Sequence, residues 1–144
     1  MHVAAILKSK GPTIITVKPD ASVDQAARLL AVNRIGAVLV VDADNELAGI
    51  LSERDIIRGL SERGPAILQA AVQDIMTRRV VTCRPEDSVA VLMTRMTEGR
   101  FRHLPVLDGG RLVGMISIGD VVKHRLEEQT AEVESLRDYV AGKM

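Results

Sequence analysis

The sequence predicts a mixed α/β (α+β) protein built from two tandem repeats. Each repeat runs strand, helix, strand, strand, helix behind a short lead-in helix, and the two pack about a pseudo-two-fold axis. Two observations carry this expectation. A stretch of about 45 residues occurs twice in register, and within each copy the apolar spacing switches between helical and strand periods. Composition adds a third. Apolar residues make up 47% of the 144-residue chain, yet it holds one Phe, one Tyr and no Trp, so the core must be aliphatic. A chain of this length buries roughly 70% of the surface its unfolded form exposes and folds without staples.

The register is explicit. Thr16 and Thr82, Pro19 and Pro85, Val23 and Val89, and Asp42 and Asp108 are each offset by 66 positions. One residue is then dropped in the second copy, after which Gly49 and Gly114, and Asp55 and Asp120, are offset by 65. This divides the chain into a first repeat at 1–65, a second at 66–126 and a C-terminal helical tail at 127–144.

The elements follow in order. Val3, Ile6 and Leu7 form a lead-in stripe that Val72, Ile75 and Met76 echo in the joining segment. Residues 14–17 and 80–83 read as short strands ahead of each proline. Ser22 is an N-cap with Gln25 at the capping-box position, and Val23, Ala26, Ala27 and Leu30 make one helical stripe. Val89, Leu92, Met93 and Met96 repeat it, the methionines filling a core without aromatics. Gly36 and Gly99 are expected near the helix exits. "AVLVV" and "HLPVL" read as buried strands. "DADNELAG" and "DGGRLVG" turn into second strands ending at "ILS" and "MIS", and final helices start at Ser52 and Ser117. In the tail, Leu126, Val133 and Val140 recur every seven residues with Leu136 between them, the pattern of a helix lying on a partner subunit.

Several functions are disfavoured. The formal net charge is zero and stacking aromatics are missing, against a nucleic-acid binder. No apolar run approaches a membrane span, and "MHVAAILKSKG" is too short and charged for a signal peptide, so the cytoplasm is expected. Cys83 has no cysteine partner and no base placed to activate it. His2, His103 and His124 are scattered, without metal-ligand spacing. Arg78 and Arg79 read as a solvated linker.

The repeated segments "GILSERDII" and "GMISIGDVV" hold the candidate chemistry. One reading is local: Ser, two residues, then an acid is close to a capping box. The other is a ligand site. A glycine three residues before each serine leaves room against the strand end, a helix N-terminus offers N–H groups to an anion, and a carboxylate accepts both hydrogens of a ribose diol.

On these marks, together with "TVKPDASVDQAARLL", "IGAVLVVD", "VQDIMTRRVVTCRPEDSV" and "FRHLPVLD", the chain resembles a tandem cystathionine-beta-synthase (CBS) domain pair, or Bateman module, from Val3 to about Leu126. The resemblance implies two clefts between the repeats that bind adenosine ligands: AMP foremost, then ADP, ATP, NAD or S-adenosylmethionine. It assigns Ser52 with Asp55 and Ser117 with Asp120 to ribose and phosphate, and Arg102 and His103 to phosphate. The first repeat departs from the pattern, with Gly36 and Ala37 at the latter positions and Arg54 beside Ser52. The adenine slot would lie near Ile15, Ala37 and Val38 on one side and Val81 and Leu104 on the other. The resemblance further implies a homodimer and a non-catalytic sensor that signals to a separate, unidentified protein. Two alternatives stay open: a ligand-free interaction module in which both pairs are caps, and a small nucleotide-hydrolysing enzyme, for which no phosphate loop or metal cluster is visible.

Overall fold

The computed structural model describes residues 1–140. The first repeat contains β1 (Thr16–Val17), α2 (Val23–Asn33), β2 (Ala37–Val41), β3 (Leu47–Ser52) and α3 (Glu53–Arg63), preceded by α1 (Val3–Lys10). The second contains α4 (Val89–Gly99), β4 (His103–Asp108), β5 (Arg111–Ser117) and α5 (Ile118–Val140). The proposed tail at 127–144 continues α5 without a break as far as Val140, and residues 141–144 lie outside the described residues.

Sheet register follows the repeat. β1 pairs parallel to β2, and β2 pairs antiparallel to β3 with Ala37 opposite Ser52. In the second repeat β4 and β5 pair likewise, with His103 opposite Ser117. The strand expected at 80–83 contracts to a single parallel bridge between Cys83 and Val106, and the one expected at 14–17 to two residues. All five residues of β2 are buried, so this strand is covered on both faces.

Helix entry obeys local chemistry. Ser22 and Gln25 form a full reciprocal capping box, and Ser88 accepts from the Val91 N–H at the start of α4. Gly36 and Gly99 lie near the helix exits, as expected, but neither is the cap. Arg34 and Arg100, rather than Gly36 and Gly99, adopt the left-handed conformation at the two C-caps, with φ of 54° and 56°. Met93 also departs: it is 38% exposed and faces away from the core that Val89, Leu92 and Met96 enter.

The lead-in segments cross over. The first is the helix α1, but the second is a 3-10 turn at Val72–Asp74. Val72 and Gln73 donate main-chain N–H bonds to the Ala21 and Pro19 carbonyls, and Val23 donates to Ala70. At the counterpart positions Val3 and Ala4 donate to Asp87 and Pro85, and Val89 donates to Met1. The joining segment therefore completes the first repeat, and the N-terminal helix completes the second. The two cores show the same exchange. Val72 and Met76 pack with Val17, Val23, Leu30, Val38 and Leu51, whereas Val3 and Ile6 pack with Cys83, Leu92, Leu104 and Ile116. Each large apolar side chain so buried contributes about 1.5–3 kcal/mol.

Candidate functional site

Both serine–aspartate pairs are capping boxes. Ser52 Oγ accepts from the Asp55 N–H at 3.2 Å, and Asp55 Oδ2 accepts from the Ser52 N–H at 2.9 Å and its hydroxyl at 3.1 Å. Ser117 and Asp120 repeat the two main-chain bonds at 3.1 and 2.8 Å. The strand thus passes into the helix with its first N–H groups satisfied. Capping occupies one carboxylate oxygen of Asp55. The other, Oδ1, has only long contacts, to Thr77 Oγ1 at 3.4 Å and Arg58 at 3.5 Å. Asp55 is nonetheless 6% exposed, a buried carboxylate with acceptor capacity to spare.

Gly49 and Gly114 have a structural cause that differs from the expected one. A Cβ on Gly49 would lie 2.7 Å from the Thr77 carbonyl and 2.9 Å from the Met76 sulfur; on Gly114 it would lie 2.5 Å from Leu7. The space beside each strand end is taken by the crossing lead-in segment of the chain itself.

A cavity of about 200 Å³ brings Ser52, Arg54 and Asp55 of the first repeat together with Arg102 and His103 of the second. Five of the expected residues therefore meet in one cleft between the repeats. Its wall also includes Ile50, Arg58, Thr77 and Arg100. Arg54, Arg100 and Arg102 take part in no ion pair among the described residues. Burial is the main cause that lowers the His103 pKa below the ordinary histidine value, against the pull of Glu53 and Asp120. The cleft thus sets four arginines, Arg54, Arg58, Arg100 and Arg102, and a histidine whose charging is disfavoured against two carboxylates, Asp55 and Glu53, a net cationic lining.

Other expected residues lie elsewhere. Val38 and Leu104 are fully buried in the separate cores of their repeats, Ile15 packs against the first core, Ala37 is buried in β2, and Val81 is 38% exposed. None of the five lines the cavity at Asp55. Asp120 and Ser117 stand apart as well. Asp120 lines a cavity of about 80 Å³ with Ile6, Lys10, Lys123 and His124. Burial works to raise its pKa, but the Lys10 ammonium and the Ser117 bonds outweigh it and hold the carboxyl below the ordinary range.

Thr77, Arg58 and Arg100 escaped the sequence reading. Arg58, one helical turn beyond Asp55, had a signal in its spacing. Thr77 reaches Asp55 only because the joining segment crosses onto the first repeat. Cys83 is buried, which, with Asp87 nearby, pushes its thiol up to about 12, so it stays protonated. Among the described residues no three of His, Cys, Asp and Glu gather closely enough to hold a metal ion, and no helix is long and apolar enough to cross a membrane.

The model of the CBS domain matches residues 9–62 and 72–127. A mitochondrial CBS domain-containing protein of Arabidopsis thaliana is 34% identical over 97% of this chain and 72% of its own length. A CBS-domain protein of Agrobacterium tumefaciens superposes with a TM-score of 0.83 at 48% identity, covering 86% of this chain and 92% of that one. A CBS domain protein of Pyrobaculum aerophilum, solved in complex with AMP, superposes with a TM-score of 0.75 at 29% identity over 83% of this chain and 89% of that one.

Proposed function

This chain belongs to the CBS domain family as a tandem pair, and we propose that it is an adenine-nucleotide sensor without catalysis of its own. The observation that carries the proposal is the meeting of Ser52 and Asp55 with Arg102 and His103 in one cleft between the repeats. In this reading Asp55 Oδ1 accepts the ribose hydroxyls. Arg54, Arg102 and His103 face phosphate, and Ser52 supports the helix end that both groups approach. The AMP complex of the Pyrobaculum aerophilum relative makes AMP the first ligand to test, with ADP, ATP, NAD and S-adenosylmethionine behind it.

The cleft's size supplies a mechanism. About 200 Å³ falls short of the ~300 Å³ at which ligand pockets usually begin. In this reading a nucleotide parts the two repeats as it enters, and the state with the repeats apart gains its binding energy. That differential affinity is what a sensor requires. The output passes to a separate protein, and the chain works as a homodimer formed through its long helices.

Isothermal titration of unfolded and refolded protein tests this, since refolding removes nucleotide carried from the host. Asp55→Ala deletes a buried, charge-assisted contact worth ~1.5–3 kcal/mol, so binding should weaken roughly 10- to 150-fold. A pure capping role would instead cost about 1 kcal/mol of stability and leave affinity unchanged. Silence from folded protein across the five ligands would return the pair to its local role and favour the interaction module.

A further inference from the structure

We infer that Glu53 limits the charge the cleft accepts, so that it takes a nucleoside monophosphate in preference to a triphosphate. This deepens the sensor reading above and rests on it. Glu53 opens α3, and its main-chain N–H donates to the Gly36 carbonyl at 2.9 Å, which pins it at the cleft's edge. The internal repeat shows what is particular here. The counterpart bond runs from the Ile118 N–H to the Arg102 carbonyl at 2.8 Å, so the second repeat sets an apolar residue where the first sets an acid. A carboxylate in a helix's first turn is ordinary, since it meets the positive end of the helix. This one also lines the cleft, beside the cations that would meet phosphate. A Cβ on Gly36 would lie 3.5 Å from Glu53 Oε1 and 3.4 Å from His103 Nε2, which leaves the two groups no more than about 7 Å apart. Among the described residues Glu53 takes part in no ion pair that would neutralise it.

The charges of the lining set the limit. Four arginines stand against Glu53 and Asp55, a net charge of +2 while His103 is neutral. Lys10 and Asp120, which also act on His103, cancel each other. Above its second pKa, near ~6, a monophosphate ester carries about −2 and balances this lining. A triphosphate carries about −4, and its further phosphates must pass a wall that holds an unpaired carboxylate. At separations of this order, partly in solvent, two added charges facing one carboxylate amount to about a tenfold loss of affinity. Arginines draw in any phosphate; Glu53 is the group that tells a short chain of them from a long one.

Refolded, ligand-free protein titrated with AMP, ADP and ATP tests the inference. The titrations are run at pH 8, where His103 is neutral, and with EDTA, since a divalent cation would mask the charge of ATP. The natural chain should bind AMP most tightly and ATP least. Glu53→Gln keeps the shape and removes the charge. It should tighten both nucleotides, ATP about tenfold more than AMP. Glu53→Asp keeps the charge and should keep the natural order, with circular dichroism showing each variant folded. ATP bound as tightly as AMP by the natural chain, an unchanged ratio in Glu53→Gln, or an equal shift in both variants would each overturn the charge limit. Absence of binding by every folded form would take down the sensor reading, and the limit with it, a result distinct from any wrong order.

Discussion

His103 stands half-buried at the start of β4, where its ring atoms lie 3.4 Å from the point a Cβ on Gly36 would occupy. Burial depresses its pKa in the folded chain. The sign follows from linkage: the unfolded histidine, with a pKa near ~6.5, binds a proton first as pH drops. His103 therefore contributes stability above that value and loses it as pH falls through the folded pKa. Phosphate entering beside the ring reverses the preference by stabilising the imidazolium. Nucleotide binding should accordingly take up a proton near neutral pH, read as a dependence of the titration heat on buffer ionisation enthalpy. His103→Gln should abolish most of the uptake and weaken binding at pH 6 more than at pH 8. Equal uptake in the variant would place the proton elsewhere. At this scale the sequence was partly legible. Asp55 announced itself by repetition, and Arg102 and His103 by breaking the repeat. Thr77 gave no sign, because its partner is fixed by chain crossing rather than by spacing.

At the level of elements, the two arginine C-caps set a local cost against a use. A non-glycine residue in the left-handed region costs about 1–2 kcal/mol, and strain of this kind persists where the surroundings impose it. Arg100 lines the cleft, whereas its counterpart Arg34 lines a separate groove between α2 and α3. The matched pair gives a controlled comparison. Both Arg34→Gly and Arg100→Gly should raise stability by about 1 kcal/mol, or roughly 3 °C in Tm, by thermal unfolding. Only Arg100→Gly should also weaken nucleotide binding. Equal affinity in both variants would remove Arg100 from the site. Helices and the two long strands of each repeat were readable from apolar spacing and caps. The capping residues were not, since two arginines adopt a conformation for which glycine is the ordinary signal. The 80–83 strand was overread for a different reason: its residues share the composition of 14–17, but only Cys83 finds a partner on β4.

For the molecule as a whole, α5 leaves an apolar stripe open. Val122, Leu126, Val133 and Leu136 are between 47% and 65% exposed, and a groove of about 770 Å³ runs beside Ile118, Val122 and Leu126. This is the face on which the proposed homodimer would form. Leu126→Glu combined with Val133→Glu places four charges across a two-fold contact and should weaken association at least 100-fold, seen as monomer in analytical ultracentrifugation. A variant that sediments like the natural protein would move the contact off this helix. The crossed lead-in segments carry a consequence beyond binding. The unit copied in the sequence and the unit that folds are out of phase by one segment, as bricks in successive courses overlap their joints. A solitary copy would own a leading segment shaped for a neighbour's sheet and a sheet missing its own edge. The two halves are therefore heritable only as a couple, and each bears the keystone of the other.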